Sequence, residues 1–490
     1  MQMSKNTIGL SGISLYLPPY RVDLQRWCEW TGAEWEKIRK VVGTGFRLLG
    51  PQQSVYTMAA NAVLRLIKNY DIDPGKVRYL ALGTESSTDN SAGAIIVKGM
   101  VDQALTGLGF PRLSRNCEVP EFKHACLGGI YGLKNALRFL GMDGADSVAI
   151  VVCADKALYE RGSSGEPTQG AGAVAMLLTA DPRIASIDLR QAGTASDYRG
   201  VDFRKPLINR NGTGASPDFV DIPVYNGKYS TSCYVDEMQR ALEDMYRKDQ
   251  LSPIENLRSV EAVFMHRPYQ RMPETGWGMA YLFALANGDQ EALDELNSYC
   301  IAADVKLEDF ISEVRSAPDL ATFGVRERIS DEIFPRGLSV LKVFRRSDAF
   351  ENFVRNKIQL GAEDMLELGN LYTAALPAWL AAGLEDARKT NIPLENKKVL
   401  LVGYGSGDAA DAIPMRIEPG WQSAAESICF HESLEPSIDL SHDQYLALRD
   451  RGETAGLVYA PSNEFVVDRV GSEITPIFQD AGIEYYRYIQ

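Results

Sequence analysis

A thiol, a carboxylate and an imidazole each fall where one predicted element gives way to the next. Cys126 sits between Ala125 and Leu127-Gly128-Gly129, at the start of an amphipathic stretch. Glu85 closes the apolar run that begins at Val77, and His266 closes the run that begins at Val260. A fourth run, from Val399, ends in Gly403-Tyr404-Gly405-Ser406-Gly407-Asp408. In α/β folds, ligands gather at the carboxyl ends of strands, where loops project functional groups. A cysteine at a helix start feels the positive end of the helix dipole, which predicts a lowered thiol pKa. Such a thiolate exchanges with a thioester at little cost. Gly128 and Gly129 are expected to let a substrate carbonyl approach the backbone. The Cys126 amide is expected to supply one oxyanion donor, and the Gly405-Ser406-Gly407 turn a second. His266, one of four histidines, can polarise a ketone or carry a proton. Glu85, beside small residues at a buried strand end, is expected to have a raised pKa and to take a proton alpha to a thioester.

The elements that must hold these groups alternate along the chain. Runs at 76–86, 146–155, 172–181, 259–268 and 397–408 have the continuous apolar character of strands buried on both faces. Between them lie helical patterns at Val55 to Tyr70, with Ser54 as N-cap, after Cys126, and at Thr231 to Gln250. This alternation predicts an α/β fold with helices covering a mixed sheet. Two halves are expected, residues 1–185 and 186–490, joined near Asp181 to Gly200. Residues 282–365 are charged and helix-prone, which predicts a helical elaboration on the second half.

Composition narrows the function classes. The 490 residues suit two domains or one large duplicated unit. A net charge of -14, with no long basic run, argues against a nucleic-acid or anionic-membrane partner. No basic leader with an apolar core opens the sequence, and no apolar run approaches the ~18 residues of a membrane span. A cytoplasmic location is expected. The seven cysteines are scattered, with no C-x-x-C pair, so neither a metal site nor a disulfide framework is indicated. Gly403-x-Gly405 continues into Asp408 where a dinucleotide fingerprint needs its third glycine.

In chain order, the segments GTESSTDNSAG, FKHACLGG, GEPTQGAGAVAM, MHRPYQRMP, GNLYTAALPAWLAA and GYGSGDAA resemble those of 3-hydroxy-3-methylglutaryl-CoA synthases of the thiolase superfamily. The resemblance runs from about Ile8 to Ala410. It implies a duplicated five-layer α-β-α-β-α fold, a homodimer and no cofactor beyond CoA thioester substrates. It also implies that Cys126 takes an acetyl group from acetyl-CoA. Glu85 then deprotonates the methyl and later acts as acid. His266 binds the ketone of acetoacetyl-CoA, with Asn370, Tyr159 and Thr168 near the acceptor. The amides of Cys126 and Ser406 match the oxyanion donors.

The sequence departs from the family's pattern at several positions. Leu127 stands where tyrosine is common, Arg271 where a lysine neighbours the CoA phosphates, and Ala375 and Pro377 where serine and tyrosine are usual. Arginine keeps the charge and changes the geometry. Arg267 and Arg271 are both expected near the entrance.

Other functions compete with the leading one. The acceptor chain can ride on acyl carrier protein, as in polyketide β-branching, rather than on CoA, as in mevalonate supply. A ketoacyl synthase III-like Claisen enzyme would also use Cys126, His266 and Asn370, but it needs no base such as Glu85. The last alternative is a non-catalytic scaffold.

Overall fold

A computed structural model describes residues 7–87, 91–205, 222–316, 333–453, 456 and 459–490. The strands Val77–Gly83, Val148–Ala157 and Gly170–Ala180 are almost wholly buried, as their unbroken apolar runs require. Val148–Ala157 lies parallel to Val77–Gly83 and antiparallel to Gly170–Ala180, which in turn pairs antiparallel with Ile8–Tyr16. In the second half, Ala262–Met265 lies parallel to Lys398–Gly405, which pairs antiparallel with Ala409–Ile417. The short strand Ala185–Ile187 hydrogen-bonds to Ile8–Tyr16 on one side and to Ala409–Ile417 on the other. It joins the two flanks into one ten-stranded sheet.

Helices cover every face, in five layers. Val55–Asn69 packs outside the first flank, on Ile8–Tyr16, Val148–Ala157 and Gly170–Ala180. Gly227–Tyr246 packs outside the second flank, on Gly193–Ser196 and Ala409–Ile417. Gly128–Met142 and Ala375–Lys389 lie between the flanks. The first rests on Val77–Gly83 and Val148–Ala157, and Lys134 on it pairs with Asp411 across the gap. The second touches Ala262–Met265, Lys398–Gly405 and Ile8–Tyr16. This is the thiolase-like α-β-α-β-α arrangement.

Local signals explain the element limits. Ser54 caps Val55–Asn69 by accepting from the Thr57 amide, and Thr57 returns the bond to the Ser54 amide, forming a capping box. The helix expected at Thr231 to Gln250 spans Gly227–Tyr246. Through the region expected to be helical run Gln290–Ala302, Leu307–Arg315 and Pro335–Phe344, preceded by the largely buried helix Arg271–Ala286. Tyr281 stacks between Phe344 and Phe353 at ring separations of 5.1 and 5.6 Å, an aromatic stack continuous with the main core. Among the described residues, no helix is long and apolar enough to cross a membrane.

Candidate active site

The turn that carries Cys126 is shaped by its backbone. Ala125 has φ of 38°, in the left-handed region that alanine rarely adopts, and the Leu127 amide bonds back to the His124 carbonyl at 2.9 Å. Helix Gly128–Met142 begins two residues later, with Leu127 as N-cap. The two glycines serve packing rather than substrate approach. A Cβ at Gly129 would lie 2.2 Å from Cys153 Sγ, and one at Gly128 would lie 2.5 Å from the Phe122 carbonyl. Their absence of side chains lets the helix end press onto the sheet and brings the thiol to the strand ends.

Asp155, at the end of its own strand, organises the facing turn. Its Oδ1 accepts from the Glu85 and Ser86 amides at 2.9 Å each, and from the Thr84 and Ser86 hydroxyls at 3.0 and 2.6 Å. Its Oδ2 accepts from the Thr373 amide at 3.0 Å. Glu85 is thereby aimed at the thiol. Cys126 Sγ donates to Glu85 Oε2 at 3.4 Å, and Lys205 Nζ stands 3.4 Å from the other oxygen.

The electrostatics confirm one expectation and reverse another. Burial raises the Glu85 carboxyl to about 7; Lys205 pulls it down and the charge of Asp155 pushes it up. The Cys126 thiol is held well above its ordinary value, not below it. Burial is the main cause, and the charges of Glu85 and Asp155 add to it. Burial, helped by two close carboxylates, outweighs the partial charge of a helix end that starts only at Gly128. In the resting site the sulfur therefore keeps its proton and shares it with Glu85.

The opposite wall is dry and neutral. His266, 2% exposed, is held by burial at a pKa of about 3. Its backbone carbonyl accepts from Tyr234 Oη at 2.9 Å, and its ring lies against Tyr404 at 6.4 Å and 26°. The Ser406 turn touches the cysteine turn directly: a Cβ at Gly405 would lie 2.8 Å from the His124 carbonyl and from Leu127 Cβ. A cavity of about 390 Å³ joins these walls. Cys126, His266, Ser406, Asn370, Tyr159 and Thr168 all line it. Asn370 Oδ1 accepts from the Tyr372 amide at 2.9 Å, and Thr168 Oγ1 donates to the Gly165 carbonyl at 2.8 Å. The Tyr159 hydroxyl meets Tyr372 and Asn370. A larger groove of about 770 Å³ lies at the other end of strand Lys398–Gly405 and contains none of these residues.

Of the two residues expected at the entrance, one lies elsewhere and the other stands just outside the cavity wall. Arg267 is buried, donates to the Ala362 carbonyl at 2.9 Å and lies over the Trp379 ring at 5.2 Å, so it braces the elaboration. Arg271 is exposed at the head of its helix and is not part of the cavity wall, although its neighbour Met272 is. Sequence reading missed Lys205, Phe203, Tyr225 and Tyr372. They come from segments whose return to the site no local spacing announces. Asp155 carried a signal, as the acid that ends a fully buried strand.

A protonated cysteine beside a tunable carboxylate, at the meeting of two sheet flanks, places the chain among thiolase-fold acyl-transfer enzymes. Comparison with known proteins narrows the class. Residues 4–183 match the family described as Hydroxymethylglutaryl-coenzyme A synthase N terminal. Hydroxymethylglutaryl-CoA synthase of Enterococcus faecalis is 29% identical over 443 residues, covering 90% of this chain and 91% of its own. The enzyme of the same name from Haloferax volcanii is 25% identical over 400 residues, covering 81% and 80%. Among solved structures, MvaS in complex with 3-hydroxy-3-methylglutaryl coenzyme A superposes with a TM-score of 0.75 at 21% identity, covering 99% of this chain and all of that one. The HMG synthase of the curacin biosynthetic pathway, solved with holo donor-ACP, gives 0.68 at 17% identity, with 99% and 100% covered. The chain is thus similar to hydroxymethylglutaryl-CoA synthases over most of its length, and residues 4–183 carry the match to that family's N-terminal model.

Proposed function

We propose that the protein condenses acetyl-CoA with acetoacetyl-CoA to give 3-hydroxy-3-methylglutaryl-CoA. The observation that carries this reading is the 3.4 Å contact between Cys126 Sγ and the buried Glu85 Oε2, behind a cavity that Cys126 and His266 both line. Glu85 accepts the thiol proton as sulfur attacks the acetyl carbonyl, and the leaving CoA thiolate takes that proton away. The oxyanion rests on the Cys126 and Ser406 amides. Ionised again, Glu85 removes a proton from the methyl of acetyl-Cys126. The resulting enolate adds to the acceptor ketone, which the neutral His266 polarises by donating a hydrogen bond. Protonated Glu85 returns its proton to the new alkoxide, and water releases the product from Cys126. Asn370, Tyr159 and Thr168 shape the acceptor site, and Arg271 meets the CoA phosphates from outside the cavity wall.

This chemistry needs no resident cofactor, because both thioesters are substrates. The division into a nucleophile half, residues 1–185, and an acceptor half, residues 186–490, follows the same logic. We place the enzyme in the cytoplasm as a homodimer, in mevalonate supply. Incubation with acetyl-CoA, followed by peptide mass analysis, is expected to add one acetyl group at Cys126. Acetoacetyl-CoA is then expected to discharge it as product faster than acetoacetyl carrier protein does. An unmodified Cys126 peptide overturns the enzyme assignment, and preference for the carrier protein overturns the acceptor.

A further inference from the structure

Behind the Ser406 turn lies a buried acidic cluster that the chemistry above does not use. Asp202, Cys233 and Asp408 are 1%, 0% and 3% exposed, and one ligand-type atom of each lies within 4.8 Å of the others. Tyr404 Oη stands 3.0 Å from Asp202 Oδ2 and 3.0 Å from Asp408 Oδ1. A phenol has one hydrogen and can donate to only one of the two carboxyls. The other contact is a hydrogen bond only if the second carboxyl itself carries a proton.

The surrounding charges give the same answer. Arg199, 1% exposed, contacts Asp236 at 2.5 Å, Glu237 at 3.1 Å and Asp408 at 3.4 Å. Arg240 adds a second cation, on Asp236 at 3.2 Å, while Asp197 is 60% exposed and screened by solvent. Four buried carboxyls thus face two guanidiniums, and the neutral groups beside them, Cys233 and Tyr229, are held protonated by burial. Uncompensated charge of that size is not stable away from water, so protons remain bound. Burial raises Asp408 to about 9, with Asp202 the next cause, and raises Glu237 to about 7.

The cluster clamps one end of a segment whose other end enters the active site. The Arg199 amide donates to the Gly407 carbonyl at 3.2 Å, and Asp197 and Asp408 exchange backbone hydrogen bonds at 3.1 and 2.8 Å. A few residues on, Phe203 lines the cavity and Lys205 reaches Glu85. We propose that a proton shared within Asp202–Tyr404–Asp408 latches segment 197–205 onto the Ser406 turn, making Asp408 a positioning residue for both Ser406 and Lys205. When both carboxyls ionise, Tyr404 satisfies only one, Arg199 is already engaged, and the latch loosens.

The proposal rests on the functional reading above, but the primary test does not require turnover. Hydrogen exchange by mass spectrometry on the full chain, corrected for the intrinsic rate, follows peptide 197–205 from pH 6.5 to 10. Protection in the parent protein is expected to fall about tenfold as pH passes through the Asp408 titration. Asp408→Asn, whose amide donates at every pH, is expected to remove that step and keep kcat. Asp408→Ala is expected to be unprotected throughout and to lose about tenfold in kcat, with KM changed less. Equal protection in all three proteins overturns the latch. So does one equivalent of tightly bound metal on elemental analysis of the parent protein, because the cluster would then hold a cation rather than a proton. Latch behaviour as expected, without condensation in the parent protein, would instead overturn the functional reading.

Discussion

The two walls of the cavity solve different problems. The Glu85–Cys126 wall comes from the first half of the chain and is electrostatically crowded: a thiol and two carboxylates compete for protons under the influence of Lys205. The His266–Ser406 wall comes from the second half and is quiet, with an imidazole kept neutral by burial and a backbone turn. Making a nucleophile and a carbanion requires groups whose proton affinities lie close together. Stabilising the oxygen anions that follow requires donors that keep their protons. The two environments are set apart in space, although the second half reaches across to tune the first through Lys205 on Glu85 and Thr373 on Asp155.

Removing the sulfur should break that comparison most completely. Cys126→Ala is expected to abolish acetylation and lower condensation by about 10⁴-fold or more. Cys153→Ala should leave acetylation intact, since Cys153 is 1% exposed and packs under Gly129. Next comes Glu85→Ala, expected to lower condensation by about 10³-fold while single-turnover acetylation is slowed by a smaller factor, since Glu85 also takes the thiol proton. Loss of acetylation with retained condensation of a malonyl donor would reassign the chemistry to a decarboxylative enzyme.

His266→Ala is expected to cost about 10²-fold in condensation, with acetyl transfer little changed; equal loss in both steps would erase the division between the walls. The smallest effect tunes Glu85. Condensation should rise with pH through about 7, because the base must be ionised. Lys205→Met removes the charge that pulls the carboxyl down, so this acid limb should move to higher pH in a kcat/KM profile. A limb that stays in place would detach Lys205 from the base. The same titration bears on folding. The raised Glu85 holds a proton that the unfolded chain has released, so its contribution to stability falls as pH rises from the ordinary carboxylate range to about 7.

The sequence and the structure agree where chemistry follows from position along an element. The positions of Glu85, His266 and Ser406 were legible because each follows an apolar run, that of Cys126 because it opens an amphipathic stretch, and the Ser54 cap because its bonds are local. The acidity of Cys126 was not legible. Its sign depends first on burial and then on the charges of Glu85, 41 residues earlier, and of Asp155, later in the chain, and only the folded sheet sets all three. Lys205 and Arg267 failed in opposite ways for the same reason. An arginine beside the histidine turned into the core against Trp379, while a lysine from a segment without signal arrived at the base. Charge placement is a tertiary property, and periodicity does not encode it.

Three residues, Ala185–Ile187, bear on how substrates get in. Because they ladder to both flanks, the halves share one continuous hydrogen-bonded sheet and cannot swing apart like jaws without tearing it on one side. Admission of a bulky thioester therefore falls to the rim, where Val41, Val42, Tyr225 and Lys228 border the opening, and traffic through this enzyme is a matter of small local displacements around a rigid frame.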